Sequence, residues 1–330
     1  MFPRLTLVFA LAASSALAGP SGYHLAQSVA IGGDTFWDYV FYDAAHHHIF
    51  LSHGSHVVVV DSETYKVVGD IPDTQGVHGT AVAGDRGFIT AGAANSVVMF
   101  DADTLKVTGT VAVGMRPDSI LYDPASNRVF TFNGGSKDST AIDASTGMVI
   151  GAIALGGKPE APAADGKGLI YDNIENTSEI VAIDAKSMTV VKRWSVAPCT
   201  EPSGLAIDTA HGRLFAACDN AMMAAVDVKT GKVVATVPTG KGSDGAGYDP
   251  GAGDVLIPNG EGKLTVIHED TPDKYTLVEN VPTQFGARTM DLDPATHRVF
   301  TVTADLTPDP GKQPPYKMTP GSFRLLVLGH

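Results

Sequence analysis

Beyond the amino terminus, no stretch of the sequence reaches the roughly 18 consecutive apolar residues that a membrane-spanning helix needs. The one apolar run near the start, Leu5 to Ala13 behind Arg4, is too short to span with these flanks. Ala16-Leu17-Ala18 follows it as a small-residue cleavage pattern. A cleaved signal peptide over residues 1–18 is expected, with a periplasmic or secreted mature chain. No cysteine stands directly after the cleavage point, which argues against a lipoprotein anchor. Cysteine itself is nearly missing: Cys199 and Cys218 are the only two. A single pair allows one intramolecular connectivity, and an exported compartment permits the bond. A metal-binding or nucleophilic thiol is the weaker reading, because it would have to stay reduced there. Runs of Lys and Arg are also lacking. The formal net charge of −13 argues against generic nucleic-acid binding, since an acidic surface repels phosphate backbones. No C-x-x-C-H unit occurs, so no site for an attached haem is seen. With 44% hydrophobic residues, wholesale disorder is not expected.

What the chain does have is a repeat. V-V-V-V-D-S-E-T-Y-K-V-V-G-D-I from Val57 recurs as V-V-M-F-D-A-D-T-L-K-V-T-G-T-V from Val97. Further copies start at Ser139, Ile180 and Met223, and a weaker one at Leu264. Each reads as an apolar strand, an Asp-x-x-Thr turn and a Val-rich strand. Asp and Thr suit the turn because their side chains bond nearby backbone groups. A second motif precedes each copy, as in R-P-D-S-I-L-Y-D-P-A-S-N-R-V-F-T-F-N-G from Arg116. Its turn falls at Asp43, Ala83, Asp123, Asp165, Asp208, Asp249 and Asp293, at spacings of 40 to 44 residues. Seven units of four short strands predict an all-β, seven-bladed β-propeller of antiparallel strands. The last unit lacks one strand, and Tyr23 to Ile31 has no unit of its own. That N-terminal strand is expected to close the last blade and remove the open edge. Residues 19–330 then form a single domain, expected to be a monomer.

The V-x-V-x-D-x-x-T-x-K-V-V-x-T-I pattern, followed by G-x-x-P-D-x-I-x-Y-D-P, resembles the YVTN-repeat, YncE-like propellers of exported bacterial proteins. The resemblance covers essentially the whole mature chain. It implies the propeller fold and leaves function open, because many such proteins have no established activity. Folds of this kind also serve methylamine dehydrogenase heavy chains, nitrous oxide and nitrite reductases, and metal-dependent lyases and lactonases. DNA binding has been linked to the family, and the acidity of this chain argues against carrying it over.

In a propeller the innermost strands line a central channel, and function usually resides on the loops at its mouth. Aligning the units places Asp38, His78, Asp118, Glu160, Ser203, Asp244 and Arg288 at the start of the inner strands. Glu201 stands beside this series as a further carboxylate. These residues are the expected ligand-binding rim. Like charges around a narrow channel raise one another's pKa, and a cation or Arg288 would relieve them. The hairpins on the same face carry His53 and His56, which lie in blade one next to His78 of blade two. If they converge, His53, His56 and His78 with a carboxylate from Asp38 or Asp118 would suit a divalent transition metal. His46-His47-His48 falls in a turn on the opposite face and is read as solvated. At least one of Met222 and Met223 is read as core. The Pro-rich stretch 304–322 is an outsized loop whose prolines disfavour helix and strand. A Cys199–Cys218 bridge would pin the loop entering blade five, stabilising by about 3 kcal/mol.

The function expected is binding of a small ligand, a metal ion or a periplasmic protein partner at the loop-rich face, without catalysis. The alternative is a metal-dependent lyase- or hydrolase-type enzyme using the His/carboxylate rim. No nucleophile, base and orienting residue can be placed together from the sequence.

Overall fold

Seven four-stranded antiparallel sheets arise from the strand-turn repeat. The computed structural model describes residues 20–312 and 315–330; the expected signal peptide lies outside them. Blade one contains strands Trp37–Asp43, His48–His53, His56–Asp61 and Val67–Ile71, from the hub outward. Blades two to six repeat that order, with inner strands beginning at Val77, Pro117, Pro159, Pro202 and Gly247. Blade seven is assembled from both ends of the chain: Met290–Asp293, Arg298–Thr303 and Arg324–Gly329 are completed by His24–Ala30. Leu25 pairs with Leu328 and Ala30 with Arg324, so the terminal strands staple the ring shut.

The Asp-x-x-Thr turns work as their composition demands. Asp61 Oδ1 accepts hydrogen bonds from the Thr64 amide and hydroxyl at 2.7 and 2.6 Å. Asp101, Asp143 and Asp227 do the same for Thr104, Thr146 and Thr230. The residue after each Thr or Ser takes a left-handed conformation: Tyr65, Leu105, Gly147, Met188 and Gly231 all have φ between 56° and 75°. Asp43, Asp123, Asp208, Asp249 and Asp293 close the inner strands. His46 Nδ1 lies 2.6 Å from Asp43 Oδ2, so His46 serves its own turn.

The core fills the gaps between neighbouring blades. Its most regular element is the third residue of the second strand: Phe50, Phe88, Phe130, Tyr171, Phe215 and Phe300, with Leu256 in blade six, all 2% exposed or less. Burying such a side chain stabilises by about 1.5–3 kcal/mol. Met223 is fully buried, as core packing requires. Cys199 and Cys218 form the disulfide, with Cα atoms 5.5 Å apart. The Pro-rich stretch departs from expectation, because Leu306–Pro308 and Tyr316–Met318 pair as a short antiparallel ribbon. Pro308 stands at the end of its strand, where a missing N–H does little harm. Met318 then buries itself beside Trp37 and Phe323. No helix among the described residues is long and apolar enough to cross a membrane.

Candidate functional site

A bulge recurs at the start of the inner strand. The ladder slips between Trp37 and Val40, Val77 and Thr80, Pro117 and Ile120, Pro159 and Pro162, and Pro202 and Leu205. Bulges release residues from pairing and re-aim their side chains. Asp38, His78, Asp118, Glu160 and Ser203 all fall inside these slips. Asp244 and Arg288 occupy the same place in blades six and seven, just ahead of their inner strands.

Bonds passing from blade to blade hold the bulges in place. Thr90 Oγ1 donates to the Asp118 carbonyl at 2.6 Å, and the Ser119 hydroxyl donates to that of Glu160. Asn173 Nδ2 donates to the Ser203 carbonyl, Ser203 Oγ to that of Ser243, and the Asp244 amide to that of Arg288. Thr289 Oγ1 closes the circuit on the Asp38 carbonyl at 2.7 Å. At the remaining junction, between blades one and two, the contact is His78 to Asp38.

The side chains meet at the mouth. His78 Nδ1 lies 2.5 Å from Asp38 Oδ2 and 3.6 Å from Asp118 Oδ1. Arg288 Nε donates to Asp244 Oδ2 at 2.8 Å, and its Nη2 stands 3.9 Å from Asp38 Oδ1. Lys158 Nζ bridges Glu160 and Glu175. Burial would lower the His78 pKa, but the hydrogen bond it donates to Asp38 and the field of Asp118 outweigh it, raising His78 to about 9. Burial and the charge of Asp38 push Asp118 up to about 7, against the pull of His78. Burial and Asp118 push Glu160 up to about 8, against Lys158. Burial also raises Asp244, with Arg288 opposing. The mouth therefore carries more acid groups than its own cations neutralise. Asp38, His78 and Asp118 each offer a ligand atom, and these atoms lie within 4.8 Å of one another. Two carboxylates and an imidazole suit a divalent transition metal.

His53 and His56 are not part of this group. They face each other, Nδ1 to Nε2 at 3.1 Å. The His53 ring stacks on Phe323 of blade seven with centroids 4.4 Å apart, and burial lowers its pKa to about 4. The hairpin's side chains therefore turn back toward blade seven, whereas His78 belongs to blade two. The expected triple-histidine set does not assemble, and the histidine at the mouth is joined by carboxylates instead. Glu201 is exposed, and its place in the ring is taken by Ser203. A second cluster, Asp208, His211 and Glu269, lies at the turns of the opposite face. Its atoms already have protein partners: His211 Nδ1 is 2.6 Å from Asp208, and Glu269 accepts from Tyr248 and Tyr275.

Several residues of the site were not singled out by the repeat alignment. Tyr39 faces the carboxylates, and burial with their charge raises its phenol pKa. Below it, a cavity of roughly 170 Å³ is lined by Tyr39, Thr80, Ser119, Ala161 and Asp291. Burial raises Asp291 to about 6 although its Oδ2 accepts the Tyr42 amide at 2.7 Å. Asp172 is fully buried, and neither carboxylate oxygen has a hydrogen-bond partner. Its position in the other blades holds Leu51, Ile89, Thr131, Ala216, Ile257 and Thr301. An acid among these residues was the signal that could have found it. Burial, then Glu160 and Asp118, raises its pKa well above the usual range.

No family model matches the chain, and no curated protein matches it. Among solved structures it is similar to a chain of Kuenenia stuttgartiensis hydrazine synthase, at 18% identity and a TM-score of 0.69 over 82% of this chain and 92% of that one. It is also similar to a chain from a mitotic checkpoint complex, at 12% identity and a TM-score of 0.77 over 100% of this chain and 98% of that one. Identities this low establish a shared fold and nothing further.

Proposed function

We propose that this protein is an exported, non-catalytic binding propeller whose channel mouth holds a divalent transition metal through Asp38, His78 and Asp118. The observation that carries this reading is the convergence of three ligand atoms from three consecutive blades within 4.8 Å. The surplus of carboxylates supports it, because a divalent cation would relieve the repulsion that raises Asp118 and Glu160. Without metal, a protonated His78 hydrogen-bonds Asp38, with Asp118 at 3.6 Å. Metal would bind by displacing that proton, as metal ligation generally requires.

Metal analysis of protein purified from the exported fraction tests this directly. Wild type should retain bound metal or take up Mn²⁺ or Zn²⁺ tightly, and His78→Ala and Asp38→Ala should lose that uptake. His53→Ala, outside the group, should not change it. Wild-type protein that takes up neither ion would sink the reading.

One observation favours a metal-dependent lyase or hydrolase instead. Burial and the charge of Asp118 raise the Glu160 pKa to about 8 against its ion pair with Lys158, and a raised carboxyl is what a general acid needs. Turnover of a substrate that survives loss of metal binding would contradict this second reading.

A further inference from the structure

The rim immediately above the ring carries a departure from the repeat that the metal reading leaves unexplained. Two residues before each ring position stand Phe36, Gly76, Arg116, Lys158, Glu201, Gly242 and Gly286. Gly76, Gly242 and Gly286 have φ of 65°, 69° and 91°, so the loop favours a left-handed residue there. Arg116 and Glu201 occupy the same place at φ 52° and 46°. A non-glycine residue in that region carries a conformational cost. Arg116 is exposed. Among the described residues its guanidinium makes no hydrogen bond or ion pair, whereas the other two rim cations, Lys158 and Arg288, are committed to carboxylates. Its charge is felt at His78, where it opposes positive charge.

A free guanidinium beside a cation site works against the cation. The arrangement makes chemical sense if an anion sits between the two. Guanidinium suits that role because its fork of donors matches the two oxygens of a carboxylate. Resting on the metal reading above, we propose that Arg116 recognises a small carboxylate ligand that completes the coordination of the cation held by Asp38, His78 and Asp118. The ring supplies three ligands, and a divalent cation of higher coordination number can take a further one. The carboxylate would donate one oxygen to the metal and receive N–H bonds from Arg116.

Mn²⁺ and malonate are suitable probes, and Arg116→Gly is the variant. Glycine is what three sister blades carry at this place, so the variant folds without a new demand on the loop. Mn²⁺ affinity is measured by equilibrium dialysis, and malonate affinity by calorimetric titration of the Mn²⁺-loaded protein against a Mn²⁺–malonate blank. Arg116→Gly should bind Mn²⁺ at least as tightly as wild type, because a repelling charge is gone. It should bind malonate roughly tenfold more weakly or worse, the loss expected for a charge-assisted hydrogen bond. Unchanged malonate affinity with intact Mn²⁺ binding overturns the role of Arg116 and leaves the metal reading standing. Weaker Mn²⁺ binding in Arg116→Gly also overturns it, because the guanidinium would then be supporting the cation site. Failure of wild type to bind Mn²⁺ overturns both.

Discussion

His78 Nδ1 and Asp38 Oδ2 lie 2.5 Å apart, although 40 residues separate them in the chain. Forty residues is one repeat, so the two side chains stand at equivalent places in adjacent blades. The contact therefore reports the propeller's rotation: each unit delivers one side chain to the hub, and neighbours in the ring become partners. Asp118, one repeat further, completes the group at 3.6 Å.

Removing Asp118's charge should separate its two roles. In metal-free protein Asp118→Asn relieves repulsion with Asp38 and Asp244 and should raise the melting temperature near pH 8. The same variant should lose the rise in melting temperature that Mn²⁺ gives wild type. If it melts lower than wild type in chelator, the buried and repelled Asp118 charge does not cost the metal-free protein stability.

The pH dependence has a definite sign. Asp118, Glu160 and His78 all have folded pKa values raised above their usual ones, to about 7, 8 and 9. The stability each contributes is fully present below its unfolded pKa and is lost as pH rises through the folded value. Metal-free protein should therefore lose stability progressively between about pH 4 and 9. Mn²⁺ affinity should climb over the same range, because the metal competes with these protons. Urea denaturation with chelator and with Mn²⁺ across that range checks both; a flat metal-free profile contradicts the assignment.

Asp172 should be replaceable with benefit. A buried carboxyl with no hydrogen-bond partner is costly, and isosteric apolar replacement removes that cost. Asp172→Val should stabilise the protein by about 1–3 kcal/mol. The urea midpoint should move up with an unchanged slope. A loss of stability would mean that the carboxyl has a partner, such as an ordered water.

The disulfide pins the loop that carries Glu201 and leads to Ser203. Cys199→Ser with Cys218→Ser should lower stability by about 3 kcal/mol, the value expected for a loop of this length. Mn²⁺ uptake should persist in that variant, because Asp38, His78 and Asp118 lie in blades one to three. Loss of uptake in a variant that remains folded would show that the hub is held together across its whole circumference.

His53 tests the correction made by the structure. His53→Ala should leave Mn²⁺ uptake unchanged and still destabilise, because the ring packs on Phe323 and is 2% exposed. A loss of about 2–4 kcal/mol is expected for emptying such a site. Lost metal with unchanged stability would return His53 to the ligand set.

The number of blades, the strand order, the closure by the N-terminal strand and the disulfide partners were legible in the chain. The fold follows from periodic features, Asp-x-x-Thr turns, alternating apolar residues and spacings near 42 residues, which act locally and recur from blade to blade; the disulfide follows from there being only two cysteines. The same alignment placed Asp38, His78, Asp118, Glu160, Asp244 and Arg288 at equivalent positions, because equivalence is a property of the repeat. Which of them touch was decided by tertiary structure. A bulge at the start of the inner strand turns the side chain in blades one to five, and only the assembled ring sets His78 between two carboxylates. His53 and His56 were misread for the same reason. They sit close to His78 in the alignment, but the face of the hairpin they occupy points to blade seven, and that blade is completed by strands from the opposite ends of the chain. Burial settled the rest. Asp172 and Asp291 acquire their chemistry from the apolar surroundings that folding packs around them, and those surroundings come from blades distant in sequence.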